Sequence, residues 1–125
     1  MFNTNFSNNK VKDICVGTFN VRTLKSRLSR LELGGEMDRY GIDILCIQET
    51  KCLEYEEFLL SCGSRCILLP STKLKRHGIG FVVAPRMAPY LKKVKAHSDR
   101  IGVATFRGEG DTAVHIVNVY SPHEG

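Results

Sequence analysis

Ile42-Asp43-Ile44-Leu45-Cys46-Ile47-Gln48-Glu49-Thr50-Lys51 decides how this chain folds. Ile44 to Ile47 are apolar without interruption, the pattern of a strand covered on both faces rather than one. Such a strand belongs inside a layered protein, with material above and below it. Where the run stops, a carboxylate (Glu49) and a cation (Lys51) stand together. A carboxylate at the end of a buried strand is held by a rigid element yet reaches solvent, as an active site requires.

Upstream, Asp13 to Asn20 reads as a second buried strand, also ending in a polar group and followed by Arg22. Between the two strands, Leu24, Leu28 and Leu31 fall at helical spacing with Lys25, Arg27 and Arg30 among them, which predicts an amphipathic helix. Gly34-Gly35 interrupt it, each costing about 1 kcal/mol against Ala, so the helix is expected to kink there or resume with Met37 and Tyr40. Gly41 is the expected stop. Downstream, Tyr55, Phe58, Leu59 and Cys62 predict a short second helix, with Glu54, Glu56 and Glu57 in its first turn and Gly63 closing it.

Arg65 to Leu69 reads as a short strand ended by Pro70, and Ser71 to Lys75 as a loop. Gly78 to Ala84 is a further strand, and Pro85 and Pro89 bracket a turn. Ile101 to Phe106, the turn Gly108 to Asp111 and then Ala113 to Tyr120 form a hairpin. Two helices and at least six strands make this an α/β (α+β) protein with mixed or antiparallel sheets, not a strict βαβ repeat. The last strand is followed by Ser121 to Gly125 with no helix to cover it, so residues 11–125 read as an unfinished part of a domain. Residues 1–10 are polar and Asn-rich and are expected to be disordered.

The 125 residues allow one domain or part of one, and 42% apolar with 25% charged residues is ordinary for a globular chain. No apolar run approaches the roughly 18 residues of a membrane span, and the start lacks the apolar core of a secretory signal. The expectation is an intracellular protein, nuclear or cytoplasmic, with no membrane partner. A formal charge of +5 and a pI near 9.1 favour an anionic partner, nucleic acid being the commonest. Lys73-Leu74-Lys75-Arg76-His77 and Lys92-Lys93-Val94-Lys95 read as phosphate-backbone contacts or as solvated loop charge. Of the five cysteines, Cys15 and Cys46 lie in strand-like runs as small hydrophobes. Cys62 and Cys66 lack a second Cys/His pair at zinc-finger spacing. No Walker loop, HExxH or GxSxG occurs.

Three apolar strands end in polar groups, at Phe19-Asn20, Gln48-Glu49 and Asn118-Val119-Tyr120. If the ends meet, a carboxylate, an amide and a phenol gather beside Lys51 and Arg22. Hard oxygen donors of that kind suit Mg²⁺, which is usually held by one or two carboxylates with water and substrate phosphate. The rival reading is that each is a polar residue facing water at a strand end.

Thr18-Phe19-Asn20-Val21-Arg22, Ile47-Gln48-Glu49-Thr50-Lys51 and Asn118-Val119-Tyr120-Ser121-Pro122 resemble, in order, the first three motifs of the endonuclease/exonuclease/phosphatase superfamily. The segment from Asn20 to Glu49, His77 to Val83, and Ser98-Asp99-Arg100-Ile101 are most similar to endonuclease domains of non-LTR retrotransposons and the craniofacial-development-protein-2-like sequences derived from them. The resemblance covers residues 13–123. It implies a two-sheet β-sandwich flanked by helices, with Glu49 as the Mg²⁺ (or Mn²⁺) ligand. Asn20 would support the metal, Tyr120 would contact the scissile phosphate, and Arg22 and Lys51 would bind substrate. The family's later motifs, an Asp-x-Asn pair, a further acid and an Asp-His pair that activates water, have no counterpart here. His123 follows Pro122 in the wrong motif and His115 alternates within a strand.

The resulting expectation is the N-terminal half of a Mg²⁺-dependent DNA endonuclease of retrotransposon descent, with little or no turnover alone. Its rivals are a superfamily phosphatase for a small or lipid phosphoester and a non-catalytic product that binds nucleic acid weakly.

Overall fold

The computed structural model describes residues 2–3, 13–22, 24, 26–70 and 77–121. The described strands are β1 (Phe2–Asn3), β2 (Asp13–Ile14), β3 (Val16–Asn20), β4 (Ile44–Gln48), β5 (Glu56–Leu59), β6 (Arg65–Leu69), β7 (Ile79–Val83), β8 (Leu91–Ala96), β9 (Ile101–Arg107) and β10 (Ala113–Val119). The α-helix, α1, spans Arg27–Tyr40, and Ala88–Tyr90 forms a 3-10 turn. A five-stranded sheet has the order β3-β4-β7-β6-β5, and a three-stranded sheet the order β10-β9-β8. β1 pairs with β2 as a separate ribbon. The fold is therefore mixed, with few helices and two main sheets.

All of β4 and β7 is buried, and alternation along them explains why. Ile44 and Cys46 of β4, with Ile79, Phe81 and Val83 of β7, pack against Tyr90 of the 3-10 turn and against Ala104, Phe106 and Ile116 of the second sheet. The intervening Leu45 and Ile47, with Val82, pack on the opposite side against Leu33 and Met37 of α1. The order is helix, five-stranded sheet, three-stranded sheet. Its central layer can carry no polar alternation, hence the unbroken apolar run of β4. β3 and β4 are parallel and joined through α1, while the other pairings of both main sheets are antiparallel.

Two helix expectations need correction. α1 is one unbroken helix through Gly34-Gly35, and its buried residues are Leu33, Gly34 and Met37. Leu28 and Leu31 are 66% and 49% exposed, and Leu24 is buried ahead of the helix. The glycines survive because both ends are well capped. Ser26 Oγ accepts from Ser29 N at 3.0 Å. At the other end Gly41, at φ +59°, and Ile42 return their N–H groups to Asp38 and Met37, a Schellman closure. Gly34 also brings the helix close to Leu60, where a Cβ would lie 3.6 Å from the Leu60 side chain.

The expected second helix at 55–62 is instead β5 and a tight turn. Leu60 N donates to Ser64 O at 2.8 Å, closing a hairpin onto β6. The decisive period there is two. Glu56 and Phe58 turn toward Arg30, whose guanidinium sits 4.0 Å from the Phe58 ring, while Leu59 is 70% exposed. The expected hairpin of β9 and β10 is present, in continuous register from Ile101–Val119 to Arg107–Ala113. Lys92, Lys93 and Lys95 are exposed on β8, a strand rather than a loop. Residues 73–76 and His123 lie outside the described residues. No described helix is long and apolar enough to cross a membrane.

Candidate active site

Chain direction brings the β3 and β4 ends to one edge of the molecule, because the two strands are parallel and in register from Val16–Ile44 to Asn20–Gln48. Asn20 Nδ2 donates to Glu49 Oε2 across that edge. Asn20 Oδ1 accepts from Arg22 N at 3.1 Å, which fixes the amide orientation, since a backbone N–H needs an oxygen. The loops are laced together. Val21 N donates to Gln48 O at 3.0 Å and Leu24 N to Thr50 O at 3.2 Å. Thr50 N and Lys51 N donate in turn to Gly78 O and His77 O at the entrance of β7.

Three non-glycine residues here take left-handed backbone, Arg22 at φ +64°, Glu49 at +57° and Lys51 at +61°. They are the described non-glycine residues with positive φ, and all lie in this loop pair. Each costs about 1–2 kcal/mol of steric strain. Gly78 permits the close approach. It sits at φ +116°, and a Cβ there would meet Thr50 Oγ1 at 2.4 Å and Lys51 N at 3.1 Å. Thr50 is fully buried, and its hydroxyl has no hydrogen-bond partner among the described residues.

Tyr120 reaches the same edge from the second sheet. A buried polar bridge ties the two sheets directly beneath the strand ends. Gln48 Nε2 donates to Thr18 Oγ1 and Asn118 Oδ1, both at 2.9 Å. Asn118 Nδ2 donates to Ile47 O at 3.0 Å and Gly80 O at 2.9 Å. The next residue after Gln48 is Glu49, and two beyond Asn118 is Tyr120. The half-buried Tyr120 ring packs edge-on against His77, centroids 5.7 Å apart at 72°. His77 and Gly78 thus touch the Glu49–Lys51 loop through backbone and Tyr120 through the imidazole.

Arg22 is exposed and Lys51 half-buried, and neither forms an ion pair among the described residues. His115 bonds Thr105 Oγ1 through Nδ1 at 2.9 Å on the outer face of the three-stranded sheet. Among the described residues no group of three His, Cys, Asp or Glu side chains is placed to hold a metal ion. Glu49 is the acid in this cluster.

Sequence reasoning passed over Gln48, Asn118 and His77 as partners, and Asp43 altogether. Asp43 lies at the opposite end of β4, where both carboxylate oxygens meet Arg86 at 2.5 Å and Oδ2 accepts from Cys15 N at 2.8 Å. Burial alone pushes its carboxyl up, but the Arg86 bonds and the Cys15 N–H prevail and hold it below the ordinary carboxylate range. The signal was an acid immediately ahead of an apolar run, a position that demands a partner. Burial pushes the thiols of Cys46 and Cys66 up to about 11 and about 12, which keeps both protonated at neutral pH.

No family model matches the chain. Over 118 residues it is 27% identical to craniofacial development protein 2 of Tragulus javanicus, an alignment covering 89% of the chain and 19% of that protein. The chain thus spans about a fifth of the length of this curated relative.

Proposed function

We propose that this chain carries the front part of a Mg²⁺-dependent phosphodiester hydrolase of the endonuclease/exonuclease/phosphatase superfamily, acting on DNA and of retrotransposon descent. The single observation behind the reading is the Asn20–Glu49 hydrogen bond at the ends of two parallel strands. The three ordered motifs and the similarity to craniofacial development protein 2 support it.

The donor set fits a hard divalent cation held in part by its substrate. One Glu49 oxygen is occupied by Asn20, which leaves the carboxylate oriented and its other oxygen for a metal. One protein carboxylate with water and substrate phosphate is an ordinary Mg²⁺ environment, and Mn²⁺ takes the same donors. When bound, the metal would act as a Lewis acid on the phosphodiester. Asn20 works through Glu49, since both of its polar atoms are already engaged. Arg22 and Lys51 supply positive charge for the phosphate, and the Tyr120 hydroxyl donates to a phosphoryl oxygen, with His77 setting the ring. His115 is committed to Thr105, so activation of the attacking water is assigned to none of these motifs. The reading therefore expects substrate and metal binding with little turnover from this chain alone.

The test is Mn²⁺ binding followed by electron paramagnetic resonance, with and without a short DNA duplex, in the wild type and Glu49→Gln. DNA should strengthen Mn²⁺ binding to the wild type at least tenfold, and the substitution should abolish that gain. Equal Mn²⁺ binding by both proteins refutes the metal role of Glu49. A supercoiled-plasmid assay with Mg²⁺ completes it, because robust nicking lost in Glu49→Ala would disprove the expectation of low turnover. Competition by an inositol phosphate stronger than by DNA would move the substrate to small phosphoesters.

A further inference from the structure

We propose that Lys92, Lys93 and Lys95 of β8, with Arg100 in the turn that follows, form a track for the phosphate backbone of duplex DNA leading to the candidate site. The direction of the track rests on the reading of that site as a phosphodiester hydrolase; the binding itself does not. The sheet that carries the track is of one charge sign. β8, β9 and β10 contain three lysines and one arginine, and neither Asp nor Glu. By contrast β5, the outer strand of the five-stranded sheet, carries Glu56 and Glu57, both in ion pairs. Lys92, Lys93, Lys95 and Arg100 are exposed, and none of the four forms an ion pair among the described residues.

The exposure of the lysines is built into the strand. Leu91 and Val94 both pack on the core between the sheets, although residues three apart face opposite ways on a regular strand. An irregularity resolves the conflict. Leu91 pairs with Phe106 and Lys93 with Thr105, which leaves Lys92 without a partner on β9. Lys92 and Lys93 therefore both stay exposed, and Lys95 follows on the side opposite Val94. Lys93 and Lys95 share a face about 6.8 Å apart, two residues at about 3.4 Å each. From Lys93 to His97 the chain advances about 13 Å, the rise of roughly four base pairs. There the hairpin turns, with His97 N donating to Ile101 O at 2.8 Å. Arg100 is held on two sides, its N donating to Ser98 Oγ at 3.1 Å and its O accepting from Tyr120 N at 2.8 Å. The cation at the head of the track is thus one backbone hydrogen bond from the tyrosine of the candidate site.

Lysine on an outer strand also blocks unwanted pairing. That role needs charge on β8, but it needs no cation in the turn beside Tyr120 and no exclusion of acids from β9 and β10. A phosphate backbone accounts for both, since each cation that meets a phosphate releases a counterion and each acid would repel it. A line of cations along one strand matches a line of phosphates. A membrane surface instead takes charge flanked by apolar side chains that can be buried in it, and β8 presents no exposed large apolar residue.

Fluorescence anisotropy of a short labelled DNA duplex titrated with the full chain, in EDTA so that no metal contributes, reads the affinity and its salt dependence. Lys93→Gln/Lys95→Gln should flatten the slope of log K against log salt by about 1.8, at about 0.9 for each lost phosphate contact, and weaken binding at least tenfold near 0.1 M salt. Arg27→Gln/Arg39→Gln removes the same charge from exposed positions on α1, in the opposite outer layer, and should leave the slope unchanged. Lys93→Arg/Lys95→Arg should keep the wild-type slope. Equal flattening by the β8 and α1 pairs, or no effect of the β8 pair, overturns the track. In the latter case, binding that still falls with Arg22→Gln and Lys51→Gln leaves the reading of the candidate site standing, whereas a wild type that binds no duplex overturns both. Binding to anionic phospholipid vesicles that is lost in the β8 pair, with duplex binding untouched, overturns it in favour of a membrane surface.

Discussion

Replacing Asn118 with Leu tests whether the two sheets are coupled beneath the strand ends. Asn118 is 1% exposed, and its amide makes three hydrogen bonds, to Gln48, Ile47 and Gly80. Each contributes about 0.5–1.5 kcal/mol net, so the loss sums to roughly 1.5–4.5 kcal/mol. The added apolar volume recovers little, because the site is shaped for a planar amide. A cost of about 3 kcal/mol lowers the melting temperature by roughly 9–15 °C in a chain of this size. Urea unfolding followed by circular dichroism measures it. The companion is Gln48→Met and the double variant, which should show a coupling of about 1 kcal/mol, since Gln48 keeps Thr18 as a partner when Asn118 is lost. Strict additivity, or a cost below about 0.5 kcal/mol for Asn118→Leu, would refute the bridge as the element joining β4 to β10.

Gly35→Ala should stabilise the protein by about 0.5–1 kcal/mol, because a Cβ there meets nothing within 4 Å on a continuous helix; a midpoint shift in urea reads it. Gly78→Ala should cost more than about 2 kcal/mol, from the +116° backbone and the collision with Thr50, and should lower the melting temperature accordingly. The Asp43 carboxyl is depressed in the folded chain, so its contribution is fully present above the ordinary value of 3.8 and fades as pH falls through the folded value. Asp43→Asn should therefore lose about 1–3 kcal/mol at neutral pH, the half-exposed Arg86 side chain limiting the loss, and should flatten that acid limb of stability against pH.

What could be read from the residues follows from the range of the forces. β4, β7, the β9–β10 hairpin and the Gly41 cap depend on local pattern, and local pattern was sufficient. The phase of α1 failed because Leu28 and Leu31 resemble core residues at helical spacing, while the contact that turns the helix is made by Gly34 against Leu60. The 55–62 segment failed because Tyr55, Phe58, Leu59 and Cys62 fall at i, i+3, i+4 and i+7, a helical pattern, while the strand is set by its pairing with β6. At the candidate site, the closeness of Asn20 to Glu49 follows from two parallel strands of equal length. The Gln48–Asn118 bond spans 70 residues of sequence, and the His77–Tyr120 contact rests on how two sheets are stacked. Neither leaves a mark at short range.

The left-handed backbone at Arg22, Glu49 and Lys51 sets evolution of this loop against its thermostability. Glycine at any of the three would relieve on the order of 1 kcal/mol of crowding around Cβ. Directed selection for heat resistance alone would thus drift toward glycine at these positions. It would deliver a sturdier scaffold whose strand ends had lost their acid and both of their cations.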